Sequence, residues 1–214
     1  MEVSSNAGHP VPLPQPDAIV GGFAVHERWL DPAAQAAMLA DLGAVMAAAP
    51  PFSPLTPWGK PMSVRMTSAG RYGWYSDRRG YRYVRQHPDG QDWPPIPGSV
   101  LAVWRAITGL DRDPDCCLVN LYRGKARMGL HQDRDEADFR WPVLSISLGD
   151  DGLFRIGGTA RSAPTRSLWL RSGDVLVMGG EARLAFHGID RIAPGTSTLL
   201  PDGGRINLTL RVVD

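Results

Sequence analysis

The stretch "RINLTLRVV" (205–213) decides how the fold is read. Side chains alternate along a strand with period two. Arg205, Asn207, Thr209 and Arg211 therefore share one face, and Ile206, Leu208, Leu210 and Val212 share the other. Alone, such a strand reads as a surface strand with its arginines in water. It is not alone. From about residue 115, short β-type runs follow one another: "CCLVNLY" (116–122), "WPVLSISLG" (141–149), "LFRIGG" (153–158), "RSLWL" (166–170), "DVLVMGG" (174–180) and "RLAFHGI" (183–189). Many short strands separated by glycine-rich turns point to an all-β sandwich or barrel.

The region before this β half has a different character. "AIVGGFAV" (18–25) and "MSVRMTSAG" (62–70) read as strands. "DPAAQAAMLADLGAVMAAAP" (31–50) reads as a helix, with Asp31 able to cap it, Pro32 suited to the first turn and an alanine-rich body. "GSVLAVWRAITGL" (98–110) reads as a second helix, stopped by Gly109. The segment 51–59 is a proline-rich loop. The expected class is α+β, mainly β. Residues 1–17 form a flexible tail, 18–114 an N-terminal extension and 115–214 a β core, together making one integrated domain.

The totals suit that layout. A chain of 214 residues with 43% hydrophobic and 21% charged residues can bury a proper core. A net charge of +1 does not by itself call for a polyanionic partner. The two cysteines, Cys116 and Cys117, are adjacent and would bridge only with strain, so no disulfide framework is expected. The first residues, "MEVSSNAGHPVPLPQPDA", show no basic and then apolar stretch and no apolar run is of membrane-spanning length, so neither a signal peptide nor a membrane span is expected. A soluble cytoplasmic monomer with no membrane partner is the expectation.

"LHQDRDEADFR" (130–140) is crowded with ionisable groups. If "GLHQD" ends a strand, His131 and Asp133 point to one face. His187, in "RLAFHGI", supplies a second histidine from elsewhere in the β half. Two histidines and one carboxylate with open positions are the ligand set of non-haem Fe(II) oxygenases. A His-x-Asp pair alone is common and unspecific. The C-terminal strand adds weight. Arginines lining a barrel interior need anions, because an unpaired buried charge is expensive. A dicarboxylate ligand would meet that need through charge-assisted bonds worth roughly 1.5–3 kcal/mol each. Asn120 and Tyr122, two apart in "LVNLY", add polar groups on one face.

Residues 60–86, "KPMSVRMTSAGRYGWYSDRRGYRYVRQ", hold seven basic residues and one acid, Asp77. Tyr72, Trp74, Tyr75, Tyr81 and Tyr83 are interleaved with them. On its own this reads as a charged hairpin with ordinary aromatic packing. Arginines that grip phosphates and rings that stack on an unpaired base are the other reading.

Taken together, Asn120-x-Tyr122, His131-x-Asp133, His187 and Arg205-x-Asn207-xxx-Arg211 resemble the AlkB family of Fe(II)/2-oxoglutarate-dependent dioxygenases. The resemblance runs from about residue 60 to the end and is weak over the first 50 residues. It implies a double-stranded β-helix, or jelly roll, with an N-terminal nucleotide-recognition lid. It implies that His131, Asp133 and His187 bind Fe(II), and that 2-oxoglutarate and O2 are co-substrates. Arg205 would pair with the distal carboxylate of 2-oxoglutarate, and Asn120, Tyr122, Asn207 and Arg211 would complete that pocket. The implied activity is oxidative demethylation of 1-methyladenine or 3-methylcytosine in single- or double-stranded DNA, or RNA, with succinate, CO2 and formaldehyde released. Trp74 would stack on the flipped-out base, Tyr81 and Tyr83 would contact the lesion strand, and Met66 would line the pocket. Asp135 would read the base, and Arg161 would stand at a further substrate position. Glu136 and Asp138 are expected to be solvated loop charges, with Asp138 able to pair with a nearby arginine. The sequence departs from the family pattern in its proline-rich N-terminal segments and at Met178, where relatives often carry a larger aromatic residue. The competing readings are a 2-oxoglutarate oxygenase acting on tRNA, protein or a small molecule, and an inactive nucleic-acid-binding module.

Overall fold

The computed structural model of the protein describes residues 12–214. In chain order the elements are β1 (Ala18–Val20), β2 (Phe23–His26), α1 (Pro32–Ala48), β3 (Arg65–Gly70), β4 (Gly73–Asp77), β5 (Gly80–Val84), α2 (Gly98–Thr108), β6 (Cys116–Tyr122), β7 (Met128–His131), β8 (Val143–Gly149), β9 (Asp151–Ile156), β10 (Arg166–Leu170), β11 (Val175–Met178), a 3-10 turn (Gly180–Ala182), β12 (His187–Ala193) and β13 (Arg205–Arg211). A seven-stranded sheet has the order β1-β2-β11-β8-β13-β6-β3, and a four-stranded sheet has the order β10-β9-β12-β7. The strand pairs are antiparallel throughout. The fold is a jelly roll, mainly β, with β4 and β5 forming a separate hairpin.

The centre of the larger sheet is buried on both faces, because each face meets a different partner. Val119, Leu144, Ile146, Leu148, Ile206, Leu208 and Leu210 pack with Met38, Leu42, Val45, Val100, Val103 and Trp104 of the two helices. The opposite face turns towards the smaller sheet, where Phe23, Leu118, Tyr122, Phe154, Ile156 and Ile189 form the second core. Every residue of β13 is buried. The surface-strand alternative for "RINLTLR" is thereby excluded: the helices cover its apolar face, and its arginine face is enclosed between the sheets. Cys116 and Cys117 fall on opposite faces of β6, one in each core, and both are free thiols.

Local chemistry explains the helix ends. Asp31 accepts from the Ala34 amide at 2.8 Å, with proline in the first turn of α1. Gly109 ends α2 in the left-handed region at φ 64°. The single strand expected over 18–25 is instead a hairpin. Gly21 and Gly22 adopt φ 58° and 84° and turn the chain back, so that β1 pairs with β2. The strand expected over 62–70 begins at Arg65. Of the expected 1–17 tail, residues 1–11 lie outside the described residues. Beyond them the Asp17 amide donates to the Val25 carbonyl at 2.9 Å, fixing the chain before β1. No helix among the described residues is long and apolar enough to cross a membrane.

Candidate metal and dicarboxylate site

The two histidines meet through strand register. His131 ends β7, His187 begins β12, and they are directly paired across the smaller sheet. Opposite residues of an antiparallel pair stand close together on one face, and the two imidazole centroids are 4.6 Å apart. The register then shifts before Ile189. Gly188 permits this close approach: a Cβ there would lie 2.5 Å from the Met128 carbonyl oxygen and 2.7 Å from that of Gly129. Asp133 follows two residues after β7. Its Oδ1 is 3.6 Å from His131 Nε2 and its Oδ2 3.8 Å from His187 Nε2. One donor atom from each of the three residues lies within 4.8 Å of the others.

Backbone carbonyls set the imidazole tautomers. His131 Nδ1 donates to Gly129 O at 2.9 Å, and His187 Nδ1 donates to Ala185 O at 3.0 Å. Each Nε2 is left with a lone pair facing Asp133, as metal ligation requires. Burial, reinforced by His131, lowers His187 to about 4, so its imidazole is neutral near neutral pH. Burial alone would raise the Asp133 carboxyl. The Arg211 guanidinium, with both histidines, outweighs burial and holds it well below the usual carboxylate range. Arg211 Nη2 donates to Asp133 Oδ2 at 2.8 Å, which orients the carboxylate and leaves Oδ1 towards His131.

A cavity of about 50 Å³ opens beside these three residues, lined in part by Asn120, Tyr122, Arg205, Asn207 and Arg211. Arg205 is 1% exposed. Its guanidinium donates to Ser147 Oγ at 2.7 Å, Leu170 O at 3.2 Å and Asp150 O at 3.3 Å, all neutral acceptors. Among the described residues its Nε has no partner, nor have Arg211 Nη1 and Asn120 Oδ1. Burial lowers Arg205 to about 10. Buried polar atoms are nearly always satisfied, so three orphans around one cavity fit a polar, anionic ligand. Asn120 and Asn207 face each other in register, with Asn120 Nδ2 donating to Asn207 Oδ1 at 3.3 Å. The donor set therefore fits a divalent metal, and the cation-lined cavity beside it fits a carboxylate-bearing co-substrate.

The β4–β5 hairpin supplies a second wall. Trp74 and Tyr81 stack with centroids 5.4 Å apart and planes inclined at 21°. Trp74 Nε1 donates to Asp135 Oδ2 at 3.3 Å, which joins the hairpin to the loop carrying Asp133. Arg161 is exposed. Its Nη1 lies 3.5 Å from the Leu130 carbonyl oxygen and its guanidinium stands over Phe186 at 5.6 Å, near His131. Two further expected substrate residues are buried or nearly so. Met66 points to the same inner face as its partner Asn120 and is 1% exposed. The Tyr83 hydroxyl is spent on Glu136, and burial pushes its phenol well up.

Glu136 corrects an expectation and was missed as a functional residue. Instead of a solvated charge it is 6% exposed and paired with Arg183 at 3.0 Å. Arg183 Nη1 also donates to the Asp133 carbonyl at 2.6 Å and its Nε to the Trp141 carbonyl at 2.9 Å. Glu136 and Arg183 thus brace the loop that carries both Asp133 and Asp135. The only sequence signal was their place beside the two histidine motifs. Asp138 does pair locally, with Arg140 at 2.8 Å.

Comparison with known proteins agrees with this geometry. Residues 22–211 match the family model described as the 2OG-Fe(II) oxygenase superfamily. The chain is 57% identical over 200 residues to the alpha-ketoglutarate-dependent dioxygenase AlkB homolog of Caulobacter vibrioides, covering 93% of this chain and 91% of that protein. It is 42% identical over 108 residues to the DNA N(6)-methyladenine demethylase ALKBH1D of Arabidopsis thaliana, covering 46% of this chain and 24% of that one. The solved structure of OsALKBH1 superposes with a TM-score of 0.77 at 29% identity, covering 91% of this chain and all of that one. The chain belongs to the AlkB family of the 2OG-Fe(II) oxygenase superfamily, and is a dioxygenase that uses Fe(II) with 2-oxoglutarate and O2 as co-substrates.

Proposed function

We propose that the protein demethylates N-alkylated bases, of the 1-methyladenine and 3-methylcytosine type, in DNA. The observation that carries this reading is the Trp74–Tyr81 stack bonded through Asp135 to the loop bearing Asp133. That arrangement sets an aromatic platform and a carboxylate acceptor next to the metal ligands. A methylated base has a flat π-face for Trp74 and an exocyclic amino group for Asp135. Such a base must leave its stack to reach the site. The Arabidopsis relative, named a DNA N(6)-methyladenine demethylase, supports a nucleobase substrate.

The roles follow from position. His131 and His187 would hold iron through Nε2 and Asp133 through its carboxylate. Arg205 would bind the far carboxylate of 2-oxoglutarate, with Asn120, Tyr122 and Asn207 shaping the pocket. Arg211 would keep Asp133 ionised and oriented. When bound, the iron, 2-oxoglutarate and O2 supply the oxidation of the N-methyl carbon. The protein's part is to orient the methyl group and exclude water, using Phe154, Leu170 and Met178 on the apolar cavity wall. The hydroxymethyl base then releases formaldehyde.

The test is mass spectrometry of a 1-methyladenine oligonucleotide after incubation with the iron-loaded enzyme. Conversion to adenine, with an N-methylated peptide left intact, supports the reading. Hydroxylation of a peptide or small acid with the oligonucleotide untouched would assign the site to another substrate class.

A further inference from the structure

The basic lid carries an aromatic residue outside the site described above. Trp58 is 82% exposed. One exposed apolar residue means little by itself; its setting gives it meaning. Trp58 stands at the tip of a tight loop, where the Gly59 amide donates to the Thr56 carbonyl at 2.8 Å and the Thr56 amide to the Lys60 carbonyl at 2.8 Å. Leu55 and Pro61 bridge at its base. The loop is fastened to β4, because the Leu55 amide donates to the Ser76 carbonyl at 3.2 Å and Ser76 Oγ to the Leu55 carbonyl at 2.6 Å. Ser76 is two residues from Trp74 on the same strand.

Cations surround this tip. A Cβ on Gly59 would lie 3.0 Å from Arg78 Nε, so the Arg78 side chain crosses the backbone directly after Trp58. Arg79 keeps 82% of its side chain exposed, and Lys60 is exposed on the other side of Gly59. Asp77, the acid of this segment, is bonded to Arg82 at 2.8 Å and lies 3.6 Å from Arg79 Nε, which leaves Arg78 and Lys60 as the cations beside the indole. A solvent-facing indole flanked by exposed cations, Arg78 and Lys60, suits a nucleotide: the ring takes the base and the cations take phosphate. Arg78 lies four residues beyond Trp74, roughly 13 Å along the hairpin at strand rise. That is far enough for a nucleotide beside the extruded one rather than the extruded base itself.

We propose that Trp58 is a second base-stacking platform, which with Arg78 and Lys60 holds single-stranded DNA on one flank of the methylated base. This rests on the nucleobase reading of the main site. It predicts that oligonucleotide length matters to binding through Trp58.

The experiment compares wild type, Trp58→Ala, Trp58→Phe and Trp74→Ala. Each is bound, anaerobically with Mn(II) and 2-oxoglutarate, to a fluorescent single-stranded 1-methyladenine oligonucleotide and, by competition, to the free 1-methyladenine nucleotide. Trp58→Ala should weaken oligonucleotide binding roughly tenfold, the loss typical of one base–aromatic stack. It should leave nucleotide binding unchanged, and Trp58→Phe should recover most of the loss. Trp74→Ala should weaken both. Unaltered oligonucleotide binding by Trp58→Ala, while Trp74→Ala is impaired, overturns the platform and leaves the main site standing. No oligonucleotide binding by the wild type overturns both.

Discussion

Arg205→Met should remove 2-oxoglutarate binding without unfolding the protein. In the ligand-free protein the guanidinium is fully enclosed among neutral acceptors, and burial lowers it to about 10. At 1.36 kcal/mol for each tenfold change, this cation costs the fold roughly 3 kcal/mol. Removing it also forfeits hydrogen bonds from a charged donor to Ser147, Asp150 and Leu170, at roughly 1.5 kcal/mol each. The two effects are similar in size and opposite in sign. The unliganded variant should therefore melt within a few degrees of wild type. The liganded state behaves differently. Loss of a charge-assisted bidentate grip is worth at least ~3 kcal/mol, a hundredfold or more in affinity. At a concentration one hundred times its Kd, 2-oxoglutarate should stabilise the wild type by about 2.7 kcal/mol, and at the same concentration it should barely stabilise the variant. Thermal melts with Mn(II), with and without 2-oxoglutarate, read both quantities. A ligand-free variant destabilised by more than ~3 kcal/mol would make Arg205 a structural residue. An undiminished ligand-induced rise would refute the carboxylate assignment.

Other perturbations test neighbouring parts of the account. Gly152→Ala would place a Cβ 2.8 Å from Arg205 Nε, and that guanidinium is pinned by three hydrogen bonds. The KM for 2-oxoglutarate should rise severalfold or more in steady-state assays, while kcat at saturation changes much less. Glu136→Gln leaves Arg183 with a weakened buried partner and should destabilise the fold by about 3 kcal/mol in urea titration, the scale for breaking a buried pair. The weakened brace on Asp133 should also lower metal affinity, measurable by Mn(II) titration. Burial pushes the Cys116 thiol up to about 12 and Cys117 higher still. Neither should react with a thiol reagent at neutral pH until denaturant is added; prompt labelling of the native protein would contradict their burial.

Much of this architecture was legible in local patterns. The alternation in "RINLTLR" located β13, and Asp31 and Gly109 marked helix ends by chemistry confined to one turn. The histidines and aspartate were legible as ligand types. Their assembly was not, because it depends on the pairing of His131 with His187 across strands 56 residues apart in sequence. The Gly21–Gly22 turn carried a readable hairpin signal that the apolar run around it concealed. Glu136 was hidden for a different reason. Its surroundings in sequence are charged and loop-like, while its burial comes from Arg183, Arg211 and Tyr83, which are all distant in the chain. The same holds for Tyr83. The hairpin sequence advertised an aromatic, and only the fold shows its hydroxyl turned inward to Glu136 while Tyr81 faces outward.

The most direct test of the whole account is paired measurement of succinate and formaldehyde, using Fe(II), 2-oxoglutarate and a 1-methyladenine oligonucleotide against its unmethylated counterpart. The account predicts equimolar succinate and formaldehyde with the methylated strand, no formaldehyde with the control, and loss of both products in His131→Ala and Asp133→Ala. Succinate formed without formaldehyde, equally with either strand, would contradict the nucleobase assignment. Full turnover by either ligand variant would contradict the metal site on which everything else is built.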